Sequence, residues 1–175
     1  MEVRAPVPGD RQTLLDFFAR VPVHERTFFK EDVVEPAVVD SWLSGARGRR
    51  AVACEDGEVA GYVAVVPLHG WADHVGEVRL VVAPDRRRTG LGSQLARWSL
   101  VQALDLGLRK LFVEVIADQD GAIAMFQALG FQAEGLLRDH VRDHDGSLHD
   151  LVLLAHPVTE QWEAMMTAGI EAELV

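Results

Sequence analysis

Apolar residues along this chain switch repeatedly between a period of two and a period near 3.6, which predicts a mixed α/β protein. A strand at Val3 to Ala5 precedes Asp10, an N-cap candidate, and Leu14, Leu15, Phe17 and Phe18 then recur at helical spacing. From Val21 to Glu35 aromatic and charged residues mix without a clear period, as in an irregular loop. Pro36 opens a second helix that carries Val38, Val39, Trp42 and Leu43 on one side. Strands at Arg50 to Glu55 and Glu58 to Pro67 flank Asp56-Gly57, a strong hairpin-turn dipeptide. Another runs from Val75 to Val82 and stops before Pro84, which cannot extend a ladder.

From Gly90 to Leu106 the residues Leu91, Leu95, Trp98, Val101, Ala103 and Leu104 give a long helix, ended by Gly107. Lys110 to Ile116 is a strand by its β-branched and aromatic content, and Ala122 to Leu129 a short helix closed by Gly130. Phe131 to Val141 and Leu148 to His156 flank Asp145-Gly146 as a further hairpin. Trp162, Met165, Met166 and Ile170 predict a C-terminal amphipathic helix, whose apolar face needs a partner on the core or on a second copy of the chain. The order is β-α-α-β-β-β-α-β-α-β-β plus that helix.

Composition narrows the picture. A chain of 175 residues, 49% hydrophobic and without a low-complexity tract, repeat or long linker, is expected to form one domain over 1–175. Its formal net charge of −10 argues against a nucleic-acid or anionic-membrane partner, because such surfaces need clustered cations. It suits a neutral or cationic substrate. The single cysteine, Cys54, excludes an intramolecular disulfide, and its strand-like surroundings read as a buried, inert thiol. Met1 to Asp10 show neither a signal nor an anchor pattern, and the expected location is cytoplasmic.

Candidate chemistry starts at Arg87-Arg88-Thr89-Gly90-Leu91-Gly92, between the apolar run Val78 to Val82 and the long helix. Glycines let backbone approach a ligand closely, and unpaired amides at a helix start point at an anion. The stretch therefore reads as a pyrophosphate cradle, with Arg86, Arg87 and Arg88 as charge beside it. A nucleotide P-loop would need Lys-Ser or Lys-Thr after the last glycine, and Gly92 is followed by Ser93-Gln94.

From about Arg50 to Pro157 the chain resembles the GNAT superfamily of acyl-CoA-dependent N-acetyltransferases. The resemblance rests on the Arg-x-x-Gly-x-Gly loop at Arg87 to Gly92, on Ala122 to Phe131 ending in Leu129-Gly130-Phe131, and on Glu134-Gly135-Leu136-Leu137-Arg138 before Gly146. It implies a twisted mixed sheet splayed between its fourth and fifth strands, Val75 to Val82 and Lys110 to Ile116, with acetyl-CoA entering the splay as a pseudo-strand. It places the pyrophosphate on amides of Arg88, Thr89, Gly90, Leu91, Gly92 and Ser93, with Arg87 nearby, and pantetheine against the backbone of Leu80, Val81 and Val82. The activity implied is acetyl transfer to a primary amine of a small molecule, amino acid or peptide amino terminus.

Such a transfer needs a base for the ammonium proton and a route for protonating the departing thiolate. Two carboxylates match the family's base positions about equally: Glu77, at the start of the fourth strand, and Glu114, at the position used by ribosomal-protein alanine N-acetyltransferases. Where many members carry an asparagine for pantetheine and a tyrosine for the thiolate, this chain has Gln119 and Phe126. Phenylalanine has no proton to give, so acid catalysis by that residue is excluded. A non-catalytic acyl-CoA-binding domain is the alternative that this departure leaves open. His140, His144 and His149 invite a metal or a lipid-acyltransferase reading, with His140 and Asp145 as the pair, but extended-chain spacing separates them and a polar hairpin flanking the acceptor cleft is preferred, without metal. Asp143, Asp150 and His140 would attract a cationic amine there. His24, Glu25, Arg26, Phe28, Phe29 and Asp32 are expected to shape the acceptor pocket.

Overall fold

The computed structural model describes residues 1–26 and 29–158, so the C-terminal helix expected around Trp162 to Ile170 lies outside the described residues. In chain order the elements are strand β1 (Glu2–Arg4), helices α1 (Arg11–Arg20), α2 (Val23–Arg26) and α3 (Pro36–Leu43), and strands β2 (Arg49–Glu55), β3 (Glu58–Pro67) and β4 (Val75–Val82). Helix α4 (Leu91–Asp105), strand β5 (Lys110–Ile116), helix α5 (Asp120–Ala128) and strands β6 (Gln132–Arg142) and β7 (Leu148–Pro157) follow. They build a seven-stranded sheet in the order β1-β2-β3-β4-β5-β7-β6, in which only β4 and β5 run parallel.

Each face of the sheet is covered because each strand alternates its side chains. On one face Val78, Leu80 and Val82 of β4 and Val113 and Val115 of β5 pack with Leu91 and Leu95 of α4 and with Phe126 and Phe131. On the other, Val81 packs with Phe17, Phe18, Val39 and Trp42 of α1 and α3. Trp42 stacks on Tyr62 with ring centroids 5.0 Å apart, and Phe18 meets Tyr62 edge-on at 5.4 Å. Contacts of this kind contribute about 0.5–1.5 kcal/mol each beyond burial and fix the α1–α3 layer on the sheet.

Two details depart from the sequence expectations. Asp10 precedes α1 without capping it by its side chain. Its carboxylate accepts instead from Arg4 at 2.6 and 2.8 Å and from the Val7 amide at 2.7 Å, because a bidentate guanidinium outcompetes a single helix amide. The stretch from Val21 to Glu35, expected to be irregular, contains the four-residue α2.

The feature that matters for function is the short pairing of β4 with β5. They match at Val75 with Lys110, Gly76 with Leu111 and Glu77 with Phe112, and then part. Beyond that point β4 stays on β3 and β5 on β7, so the sheet is splayed as the resemblance implies. No helix among the described residues is long and apolar enough to cross a membrane.

Candidate active site

Backbone alternation decides what the splay offers. Leu68 N–H donates to Val75 O at 2.8 Å and Ala83 N–H to Ala60 O at 2.9 Å. In an antiparallel ladder every second residue faces the partner strand, so Glu77, Arg79 and Val81 turn their backbone to β3 while Val78, Leu80 and Val82 turn theirs into the splay. Leu80 and the Val82 amide thus turn main chain toward the place where an extended ligand would lie, while the Val82 carbonyl accepts from Arg87 Nε at 3.3 Å. Val81, expected alongside them, spends its backbone on β3 and contributes its side chain to the wall.

The same parity puts Glu77 and Glu114 on one face, the face that carries α1–α3. They meet on one cation. Lys30 Nζ lies 3.0 Å from Glu77 Oε1 and 3.1 Å from Glu114 Oε2. Glu77 is buried, and its other oxygen accepts from Arg79 Nη2 at 3.1 Å, while Arg79 Nη1 holds Glu31 at 2.8 Å. Burial weighs against charge on Lys30, but hydrogen bonds and charge from Glu77 and Glu114 outweigh it and leave the ammonium above the usual lysine value. Two carboxylates at the mouth of the splay therefore form a built ammonium site. Lys30, Glu31 and Arg79 join the site without a signal in the sequence pattern: Lys30 and Glu31 sit in the stretch without period, and Arg79 lies within the apolar run Val78 to Val82.

The loop after β4 is shaped by two left-handed residues, Arg88 at φ 60° and Gly90 at φ 90°. The Thr89 hydroxyl donates to Arg86 O at 2.8 Å and ties the loop to itself. Gly90 N-caps α4 without a side-chain bond, and the first backbone bond of the helix is Gln94 N–H to Gly90 O, at 3.1 Å. The amides of Leu91, Gly92 and Ser93 therefore have no acceptor within the helix and point outward. A Cβ on Gly92 would sit 2.9 Å from Met125 Sδ, so only glycine leaves this approach open without moving Met125. Of the three arginines, Arg86 pairs with Glu55 at 2.8 Å and Arg87 with Glu25, Arg87 Nε also donating to Val82 O at 3.3 Å. Arg88 is exposed and has no ion pair among the described residues.

Loop, splay and carboxylates share one open cleft of ≈ 940 Å³. Arg87, Arg88, Gly90, Gly92, Ser93, Gln119 and Phe126 line it, whereas Thr89 is turned to Arg86 and the Leu91 side chain is in the core. Gln119 is the residue preceding α5, and Phe126 packs edge-on against Phe131 with centroids 5.1 Å apart. Free amides at a helix start, a glycine where bulk would close the gap and unpaired strand edges beside them fit an acyl-CoA donor with its diphosphate at the loop.

The far wall comes from β6 and β7. Leu137 pairs with Leu151 and Val141 with His149, so three residues, Arg138 to His140, stand opposite the single Asp150. Asp139, at φ 49°, donates its amide to Asp150 Oδ1 at 2.8 Å, and this bulge delivers His140 to the cleft. His149 and Asp143 also line it, 3.8 Å apart, while His144 is exposed at the turn. Among the described residues no three His, Cys, Asp or Glu side chains gather as metal ligands. Phe29 serves core and cleft together, meeting Phe18 edge-on at 5.4 Å while lining the pocket; Phe28 lies outside the described residues.

Known proteins are similar to this chain in sequence and in fold. The chain is 38% identical over 100 residues to a mycothiol acetyltransferase of Nocardia farcinica, covering 57% of this chain and 31% of that one. It is 31% identical over 80 residues to the [ribosomal protein bS18]-alanine N-acetyltransferase of Escherichia coli K12, covering 46% of this chain and 53% of that one. It thus spans about a third to a half of these relatives' length. The structure of yncA from Salmonella typhimurium with its cofactor acetyl-CoA superposes with a TM-score of 0.78 at 18% identity, over 91% of this chain and 95% of that one. The family model described as "Acetyltransferase (GNAT) family" matches residues 15–131, from α1 through the splay to the end of α5, and the chain belongs to that family.

Proposed function

We propose that the chain is an acyl-CoA-dependent N-acetyltransferase whose acceptor is a cationic primary amine of a small molecule or peptide. The observation that carries this is the convergence of Glu77 and Glu114 on one ammonium, 3.0 and 3.1 Å away, inside the cleft that also holds the free amides of α4. The relatives' names support acetyl transfer and differ in acceptor.

The amides of Leu91, Gly92 and Ser93, with Arg88, would hold the donor's diphosphate, and the outward backbone of Leu80 and the Val82 amide its amide-bearing arm. When bound, the donor supplies an activated acyl carbon on a thioester. The acceptor ammonium displaces Lys30, whose side chain is half exposed and free to swing outward, and is held by both carboxylates. The two carboxylates act as a unit: one takes the proton while the other holds the nitrogen in place, and both are needed to leave it nucleophilic. Arg79 keeps Glu77 aimed, since it fixes the oxygen turned away from the acceptor. Phe126 gives no proton, so water in the open cleft protonates the thiolate.

The test is release of free thiol from acetyl-CoA across a panel of amines, with donor binding followed by calorimetry. Turnover with at least one cationic amine is expected. Donor binding without turnover on any amine would make this an acyl-CoA-binding module instead.

A further inference from the structure

Of the 17 lysines and arginines in the chain two are lysines, Lys30 and Lys110. The rest carry guanidinium groups, which stay protonated and do not act as acyl acceptors. Lys110 is engaged with Glu134 at 2.6 Å, away from the cleft lining. Lys30 lies between the two carboxylates that the proposed chemistry uses. An arginine there would bridge them with more hydrogen bonds. Lysine supplies the same charge together with a primary amine, the functional group that an N-acetyltransferase modifies.

Resting on the acyl-donor reading above, we propose that Lys30 is a self-acetylation site, modified by its own chain when donor is bound and no outside acceptor fills the cleft. The Lys30 ammonium passes one proton to Glu77 or Glu114, and its neutral nitrogen forms the N–C bond to the acyl carbon as the C–S bond breaks. A second proton leaves the nitrogen as the amide forms; one of the two ends on the thiol and the other in solvent. The product amide is uncharged, so Glu77 is left with Arg79 and Glu114 loses the cation between them. The acceptor site becomes more negative, and its occupancy by Lys30 no longer competes with an incoming ammonium by charge.

The experiment incubates the full chain with acetyl-CoA alone at several protein concentrations and maps acetylated lysines by mass spectrometry, with Lys110 as the internal reference for uncatalysed acylation. Acetylation of Lys30 is expected to run about a hundredfold faster than at Lys110, the scale of proton-transfer catalysis by a positioned carboxylate. Its rate is expected to be independent of protein concentration and to slow when an acceptor amine is added. Lys30→Arg is expected to abolish the fast incorporation, with calorimetric donor binding reporting that the variant is folded. Equal rates at the two lysines, or a rate that grows with protein concentration, would overturn the proposal. If donor binds and outside amines are acetylated while Lys30 stays unmodified, self-acetylation alone is wrong; if donor does not bind, the acyltransferase reading fails with it.

Discussion

Replacing Glu77 by glutamine keeps the shape of the side chain and removes its charge. Three consequences follow from its contacts: Lys30 retains only Glu114 of its two carboxylates, Arg79 retains Glu31 at 2.8 Å, and a buried amide stands where a carboxylate was. Breaking a fully buried ion pair costs about 3–5 kcal/mol. Lys30 is half exposed and can turn to water, and Arg79 keeps a partner, so the expected loss is smaller, about 1–2 kcal/mol. For a chain of this size that corresponds to a melting temperature lower by roughly 2–8 °C. The kinetic effect is larger, because a glutamine cannot take the ammonium proton: kcat is expected to fall about 10²–10⁴-fold with donor affinity unchanged. Thiol release at saturating acetyl-CoA, calorimetric donor binding and a thermal melt give the three numbers. A kcat within threefold of the parent would refute the role of Glu77 as base, and an unchanged melt would show that its bridge contributes nothing to the fold.

Other residues separate binding from stability. Gly90→Ala places a Cβ at φ 90° and is expected to lower stability by about 1–2 kcal/mol in a urea or thermal melt, whereas Gly92→Ala pushes Met125 into the cleft and is expected to weaken donor binding about 3–10-fold with little change in stability. Arg88→Ala removes a charge free of ion pairs among the described residues; donor affinity should drop about five- to tenfold and become less sensitive to salt, measured by calorimetry at two ionic strengths. Asp10 has its carboxyl held below the usual range by hydrogen bonds from Arg4 against the cost of burial. A depressed folded value means that this contribution is present above the unfolded value of about 4 and is lost as pH falls through the lower folded one. Asp10→Asn should therefore cost about 1.5–3 kcal/mol at pH 7, a gap that closes below pH 4 in parallel melts; a gap independent of pH would contradict the assignment.

Much of this was legible in the chain because period and punctuation are local. Asp56-Gly57, Pro84 and Gly107 end elements where the strands and helices do end. Parity along β4 and β5 suffices to put Glu77 and Glu114 on one face once Glu77 is known to pair with Phe112. What parity cannot supply is the third partner. Lys30 arrives from a segment without period, and what ties that segment to the sheet is its neighbour Phe29, whose ring meets Phe18 and Tyr62, residues distant in sequence. Asp10 shows a different limit, since its sequence context satisfies the capping rule while Arg4, on β1, offers a stronger partner. The bulge at Arg138 to His140 carries no glycine or proline to announce it, yet it decides that His140 reaches the cleft.

The claim that two carboxylates serve a single acceptor ammonium is tested most directly by a double-mutant cycle in kcat/KM, using Glu77→Gln, Glu114→Gln and the pair against an amine acceptor. Groups that act on one nitrogen are strongly non-additive. Each single variant should lose activity, and the double variant should lose little more than the worse of the two. Losses that simply multiply, or a single variant with unimpaired kcat/KM, would contradict the shared ammonium site.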